Sequence, residues 1–533
     1  MQRTVLWTGI CRSCGWTRGF ILTLVIFGCF SPQGSLGQGA IDQAPQSEKT
    51  SDHAFVATIK SKMPTLLDTD SVPGAAVALI RNGEVVWTEG FGWADVAGKT
   101  RVTPETIFNV GSISKTPTAW AIMQLVQQGK IGLDQPVDKY LTRWHVPPSS
   151  FDSKQVTVRR LLSHTSGISD HDYHGWDPAS PLPPIEDSLA GKTGTGKVQV
   201  VYQPGSGHHY SGANYAILEL LLEEQSGQPF EDYMRSHIFR PLHMIHSQYG
   251  LPSDDKNVMA TPYDSLGRPL PLLRYNELAA AGLTTDVHDL ALFAAAGLSA
   301  GKAGAPGRGV LTPNTVLEMQ TAVAGTKWAD RDPFGPDPQY GLGYTVRPSQ
   351  FAGHTGVGHG GSNNGWESLI QIIPETNDGI VIMTNSSNGS AVIASVLCEW
   401  RRWAAKSGAS TVCPTIEVRI PLLSAYKAGG VSRVISLYRK LRNEEAESYD
   451  FSSYELNSMG YQVMRLGDVA GAVEIFKLNV EEFPEEWNVY DSLGEAELKL
   501  GDKANAILNY RKSLELNPKN DSGRDVLRSL GVS

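Results

Sequence analysis

Three things are scarce in this chain of 533 residues, and each scarcity removes a class of function. Positive charge does not accumulate. Lys and Arg number 46 against 55 Asp and Glu, a formal net charge of -9, with the signs mixed along the chain and no tail of like charge. That leaves no basic face for nucleic acid. Long apolar runs are scarce as well: "FILTLVIFGCF", at 20–30, is too short to span a membrane comfortably. Cysteine is the third. Of five in all, Cys11, Cys14 and Cys29 fall within the first thirty residues. His171, His174, His208 and His209 sit close in sequence, but no H-E-x-x-H or cysteine set supports a metal site among them.

The apolar run has its own meaning. Arg3, Arg12 and Arg18 precede it and "SPQGSLGQGA" follows, the order of a secretory signal peptide. Residues 1–37 are read as that leader, with cleavage near Gly37 or Gly39, so the mature protein is expected to be exported, periplasmic or extracellular. A lipoprotein anchored through Cys29 is the rival, although Phe27 is bulkier than such a site usually holds. Export removes "CRSC" as a metal or redox motif. Cys398 and Cys413 remain, either as a disulfide or as two separate thiols, since spacing alone does not bring sulfurs together.

Behind the leader the pattern is mixed α/β. "GAAVALIRNGEVVWTEGFG" reads as a hairpin about Asn82-Gly83, and "WESLIQIIPETNDGIVIMTN" as another about Asn377-Asp378-Gly379. "TAWAIMQLVQQGKI" and "NYAILELLLEEQSG" read as helices stopped by Gly129 and Gly227. Strands thus flank a helical middle, which predicts one sheet built from the two ends of a domain with a helical insertion between them.

Within "FNVGSISKTPTAW", Ser112 and Lys115 stand three apart at a helix start, on one face. A serine hydroxyl becomes a strong nucleophile when a base takes its proton, and a desolvated lysine serves once its pKa falls. Alone, S-x-x-K arises by chance. Here it is followed in order by "LLSHTSGI", "PGSGHHYSGANYAILE", "PLHM", "LAAAGLTTDVHDLALF" and "GHGGSNNGW". The succession, over residues 53–405, resembles the serine beta-lactamase family of class C type, which also holds penicillin-binding D-alanyl-D-alanine peptidases, D-aminopeptidases and esterases. The resemblance implies an antiparallel sheet flanked by helices with a helical subdomain. It implies Ser112 as the acylated nucleophile, Lys115 as its base and Tyr210, heading "YSG", as proton shuttle. It places His359 where relatives carry the lysine of K-T-G or a histidine, and assigns the oxyanion hole to the backbone N–H groups of Ser112 and Ser362. No cofactor or metal is implied. The expected ligand is a small-molecule acyl substrate.

Two lookalikes fail beside that pattern. Gly191 to Lys197 fits G-x-x-x-x-G-K, but Val198 stands where Ser or Thr would hold magnesium, and no strand precedes it, so no nucleotide is expected. Lys192-Thr193-Gly194 comes before Tyr210, whereas the family's third signature follows the tyrosine. The stretch is read as loop and strand leading to Tyr210, and His164 as a packing and hydrogen-bonding residue near the site. His354 begins a second H-x-G, but "GSNNGW" follows His359. Gly212 replaces the asparagine of Y-x-N, and Asn214, two positions on, is expected to point elsewhere. With a histidine at 359 in place of a fixed cation, the departures suit an esterase, an amidase or a peptidase acting on D-amino acid compounds. The alternatives are a true beta-lactamase or D-alanyl-D-alanine carboxypeptidase, or a non-catalytic scaffold.

The far end repeats. Gly460, Gly467, Ala472, Phe476 and Pro484 recur 34 residues later as Gly494, Gly501, Ala506, Tyr510 and Pro518. The period and the small-to-aromatic spacing resemble the tetratricopeptide repeat. The domains are therefore drawn as hydrolase 53–405, a linker 406–452 with a degenerate unit about Gly429 and Tyr438, and repeats 453–530. The repeats either cap the hydrolase domain or bind a protein or peptide partner.

Overall fold

A computed structural model describes residues 46–532, apart from 171–174, 253–257, 302–303, 328–337, 352 and 406–412. Its frame is a sheet whose strands come from two distant parts of the chain. The N-terminal part supplies β1 (Gly74–Arg81), β2 (Glu84–Asp95) and β3 (Thr100–Arg101). The later part supplies β4 (Gln339–Tyr340), β5 (Thr345–Phe351), β6 (His354–Asn363), β7 (Trp366–Ile373) and β8 (Asp378–Thr384). The eight run in the order β3-β2-β1-β8-β7-β6-β5-β4, and each neighbouring pair is antiparallel. The ends of the domain meet where Ala76 lies opposite Met383. Asn82 and Gly83 close the first hairpin with φ of 52° and 72°, the left-handed pair that a two-residue turn needs.

The helices that frame this sheet are α1 (Gln46–Thr69), α2 (Lys115–Gln127), α3 (Gly212–Ser226), α4 (Leu278–Ala281) and α5 (Gly389–Ala404). Alternation along β1 decides which face meets which layer. Ala75, Val77 and Leu79 pack against Phe55, Ile59 and Met63 of α1 and against Val392 and Val396 of α5. Ala76, Ala78 and Ile80 face the insertion, in one core with Trp120 and Ile122 of α2 and Leu218 and Leu221 of α3. Ser211 caps α3 by accepting the Ala213 N–H, and Gly227 ends it in the left-handed region. Cys398 and Cys413 are joined as a disulfide.

The C-terminal region is helical: α6 (Arg419–Glu444), α7 (Ser453–Arg465), α8 (Val469–Glu482), α9 (Trp487–Leu500), α10 (Lys503–Leu516) and α11 (Asp521–Ser529). Gly429 and Gly430 break α6 into two helical pieces. The sequence period has a structural echo. Asp468 caps α8 and Asp502 caps α10, 34 positions apart, and Gly460 lies against the Phe476 ring as Gly494 does against Tyr510. The residues from Ser51 onward form one compact unit. At its junction Ser424 and Lys427 of α6 donate to the Thr69 and Ser265 carbonyls. Among the described residues, no helix is long and apolar enough to cross a membrane.

Candidate active site

Ser112 lies in a tight 3-10 turn, Gly111–Ser114, that leads straight into α2. The turn is pressed against the end of β6. A Cβ on Gly111, whose φ is +51°, would stand 2.7 Å from the Ser362 backbone nitrogen, so only glycine lets the two segments approach. Asn109 and Ser114 brace the turn from either side. Asn109 Oδ1 accepts the Gly111 N–H at 2.9 Å, and the Ser114 hydroxyl donates to the Gly111 carbonyl at 2.6 Å. Asn363, at the tip of β6, donates to Asn109 Oδ1 at 2.6 Å and ties strand to turn.

Lys115 is wholly buried behind the serine. Its Nζ lies 3.0 Å from Ser112 Oγ and 2.8 Å from the Ala280 carbonyl of α4. Burial brings its pKa down to about 7, because an ammonium ion loses its hydration there. The amine is thus poised near neutrality to take a proton. Tyr210 completes the group: its hydroxyl bonds to Ser112, and Lys115 Nζ lies 5.0 Å from its ring centre. One side of the ring is open to solvent, while the hydroxyl end is enclosed. That enclosure holds the phenol well above its usual pKa, against the pull of Ser112, so it keeps its proton.

His164 stacks on Tyr210 with ring centres 4.2 Å apart. Its Nδ1 accepts the Ser211 N–H at 3.2 Å and faces the Asn214 amide at 2.9 Å. Asn214 therefore points away from the cleft, into the support beneath Tyr210, while its Oδ1 accepts from Ser166. His359 is buried, whereas His354 is exposed at the start of β6. The Gly360 carbonyl accepts the Nδ1 proton of His359 at 2.5 Å, and Nε2 accepts from the Tyr340 hydroxyl at 2.7 Å. Burial first, then the charge of Lys115, lowers the His359 pKa to about 3, so the ring is neutral. Ser362 donates its hydroxyl to Glu367 at 2.6 Å.

Sequence reasoning missed Tyr340, which links His359 to Tyr215 and stands in β4. No motif marks it; the sheet brings it in, with β5 pairing β4 on one side and β6 on the other. The stretch 189–200 also needs correction. A short helix, Ile185–Leu189, leads into it, and the glycines at 191, 194 and 196 turn with positive φ. The expected strand shrinks to one bridge, Val200 to Ile168, after which Val201 and Tyr202 both donate to the Gly167 carbonyl and break the ladder. Lys192 pairs with Asp187 at 2.7 Å on the surface. His171 and His174 lie outside the described residues. A set the sequence did not suggest, His246, Asp286 and Asp289, has the compactness of a cation site. Its groups are spent on one another and on capping the helix Val287–Ala296: Asp286 accepts the Asp289 N–H, and His246 Nδ1 meets Asp286 at 2.7 Å.

Comparison with known proteins agrees with this architecture. The family model described as Beta-lactamase matches residues 59–395. A Bacillus subtilis relative named as a penicillin-binding protein, PbpX, is 28% identical over 315 residues, covering 58% of this chain and 71% of its own length. The octameric penicillin-binding protein homologue from Pyrococcus abyssi is 29% identical with a TM-score of 0.55, over 69% of this chain and 81% of that one. SurE, solved with D-Leu, is 25% identical with a TM-score of 0.53, over 67% and 78%. Fold and matched span define a beta-lactamase/transpeptidase-like serine hydrolase. The chain belongs to the beta-lactamase family.

Proposed function

We propose that this chain is an exported hydrolase that forms an acyl-enzyme on Ser112 and acts on neutral esters, amides or D-amino acid peptides. The carrying observation is the 3.0 Å approach of a wholly buried Lys115 Nζ to Ser112 Oγ. In acylation, neutral Lys115 takes the Ser112 proton as Oγ bonds to the substrate carbonyl carbon. The oxyanion that results is held by the Ser112 and Ser362 N–H groups. Collapse breaks the bond to the leaving group, which takes its proton from the Tyr210 hydroxyl; Lys115 returns a proton to Tyr210. Water then attacks the ester carbon, giving its proton back through the same pair, and Ser112 leaves protonated.

The preference for neutral substrates follows from His359. It is uncharged and both ring nitrogens are already bonded, so it offers a substrate carboxylate no positive charge. The D-leucine in SurE supports compounds of D-amino acids as substrates. Relatives named penicillin-binding proteins keep a beta-lactamase or D-alanyl-D-alanine carboxypeptidase as the second reading. The deciding experiment compares kcat/KM for a neutral ester and a carboxylate-bearing analogue in the wild type and in His359→Lys. A wild type favouring the neutral ester, and a variant shifted towards the acidic one, are expected. A wild type that prefers the acid, or rapidly turns over a penicillin, would establish the second reading.

The export leader at 1–37 and the 34-residue period belong to the same proposal: the helices from α7 onward form tetratricopeptide-type repeats that hold a protein or peptide partner near an exported hydrolase. The matching caps and glycine-to-ring contacts support it.

A further inference from the structure

Behind Lys115 the insertion encloses two carboxyls that the acyl-transfer steps leave unused. Glu219 on α3 and Glu277, immediately before α4, are both buried. Glu219 Oε2 accepts the Ala279 N–H at 2.8 Å, and the Ser188 hydroxyl donates to Glu277. What they hold is α4, a single turn that cannot fix itself. Yet α4 supplies much of the site's frame. Its Ala280 carbonyl receives Lys115 Nζ at 2.8 Å. Its Ala281 carbonyl receives the amides of Asn363 at 3.2 Å and Asn109 at 3.3 Å. Its Ala279 carbonyl receives Thr118 Oγ1 of α2 at 3.3 Å.

We infer that Glu219 is a positioning residue of this site: as a neutral acid it ties α4 to α3 through the Ala279 N–H, so that the Ala280 carbonyl meets Lys115. The chemistry asks for this state. A carboxyl sealed in an apolar interior loses the hydration that its ionised form needs. An ionised Glu219 behind α4 would also favour the ammonium form of Lys115 and take away its use as a base. Burial above all, then Glu223, Glu277 and Glu231, keeps the Glu219 carboxyl well above its usual range, against the pull of the Ala279 N–H. These are the charged groups that face it from α3, from the approach to α4 and from the helix Phe230–Met234; the Tyr249 hydroxyl faces it from the strand Gln248–Tyr249.

The inference rests on the proposed role of Lys115, and two variants of the full chain test it. Glu219→Gln keeps an oxygen for the Ala279 N–H and a neutral donor in place of the acid. Glu219→Ala removes both. With a neutral chromogenic ester, kcat/KM is followed across neutral pH, where deprotonation of Lys115 gives a rising limb near 7. Glu219→Gln is expected to stay within about threefold of wild type with the limb unmoved. Glu219→Ala is expected to lose about tenfold or more, the scale of a misplaced catalytic group. Its limb should move to higher pH, because water reaching Lys115 restores the ammonium. An infrared difference spectrum of wild type against Glu219→Gln should show the C=O stretch of a protonated carboxylic acid. Absence of that band, a moved limb in Glu219→Gln, or an unaltered Glu219→Ala would overturn the inference. A wild type with no limb near 7 would instead refute the Lys115 assignment, leaving the band to decide the proton on Glu219. If Glu219→Ala does not fold, Glu219→Gln and the band decide alone.

Discussion

Two interiors in this molecule are built on opposite terms. Around Ser112 the buried residues include Lys115, His164, Glu219, Glu277 and His359, polar groups that hydrophobic packing would reject. Between α7 and α10 small residues pack against rings, with Ala472, Phe476, Val463 and Ile475 filling the space between them, and the buried polar groups Asn479 and Glu497 are spent on holding Ser453 and Asn509. The first interior gives up stability to hold groups in reactive states. The second gains stability and asks nothing chemical of its side chains. If that contrast is right, substitutions in the cleft should lower activity far more than stability, and those in the helices should do the reverse.

The largest effect is expected at the nucleophile. Ser112→Ala should lower kcat/KM for a neutral ester by roughly a thousandfold or more while leaving the melting temperature near that of the wild type. A variant that keeps wild-type turnover would remove Ser112 from the chemistry.

Lys115→Met sharpens the contrast, because it should lose activity and gain stability together. The unfolded chain holds the lysine proton up to about 10.5, and the folded chain releases it at about 7. The buried amine therefore costs most below pH 7, and the cost fades as pH rises towards 10.5. The variant should melt above the wild type, with the gap widest on the acid side, and lose roughly a hundredfold to ten-thousandfold in kcat/KM. A gap that widens with rising pH would contradict the buried-amine account. In the wild type the same titration should make kcat/KM rise through about pH 7, as Lys115 becomes free to accept a proton.

Tyr210→Phe should cost about a hundredfold, the scale of a lost proton carrier. The ring and its stack on His164 remain, so melting should move little. A loss below threefold would mean that another group protonates the leaving atom.

The smallest effect on activity belongs to Gly460→Val. A Cβ there meets the Phe476 ring at 2.5 Å, an overpacking that typically costs about 1–3 kcal/mol. Denaturant unfolding should report that loss, while ester hydrolysis per folded molecule stays within about twofold. Hydrolysis that falls in step with stability would show that the cleft depends on the helices.

Much of this was legible in the sequence wherever a short pattern carries a local geometry. The three-residue gap between Ser112 and Lys115 puts both on one side of a helix start, and Asn82-Gly83 and Gly227 mark turns that only their backbone freedom allows. The 34-residue period foreshadowed equal caps at Asp468 and Asp502. What stayed hidden depends on contacts between distant segments. β5, "TVRPSQF", lacks the alternation of a strand and holds a proline, so neither it nor β4 with Tyr340 stood out. Glu219 and Glu277 read as ordinary charges until the fold buries both. Pairing of Cys398 with Cys413 likewise depended on an approach in space that their spacing does not set.

If Ser112 is the nucleophile that takes up the acyl group, covalent labelling shows it without knowledge of the natural substrate. The measurement is intact mass and peptide mapping of the full chain after reaction with a fluorophosphonate ester, for wild type and Ser112→Ala. The account requires a single phosphonyl adduct on the peptide containing Ser112, forming faster as pH rises through about 7, and no adduct in the variant. An adduct on another residue, or equal labelling of Ser112→Ala, would contradict it.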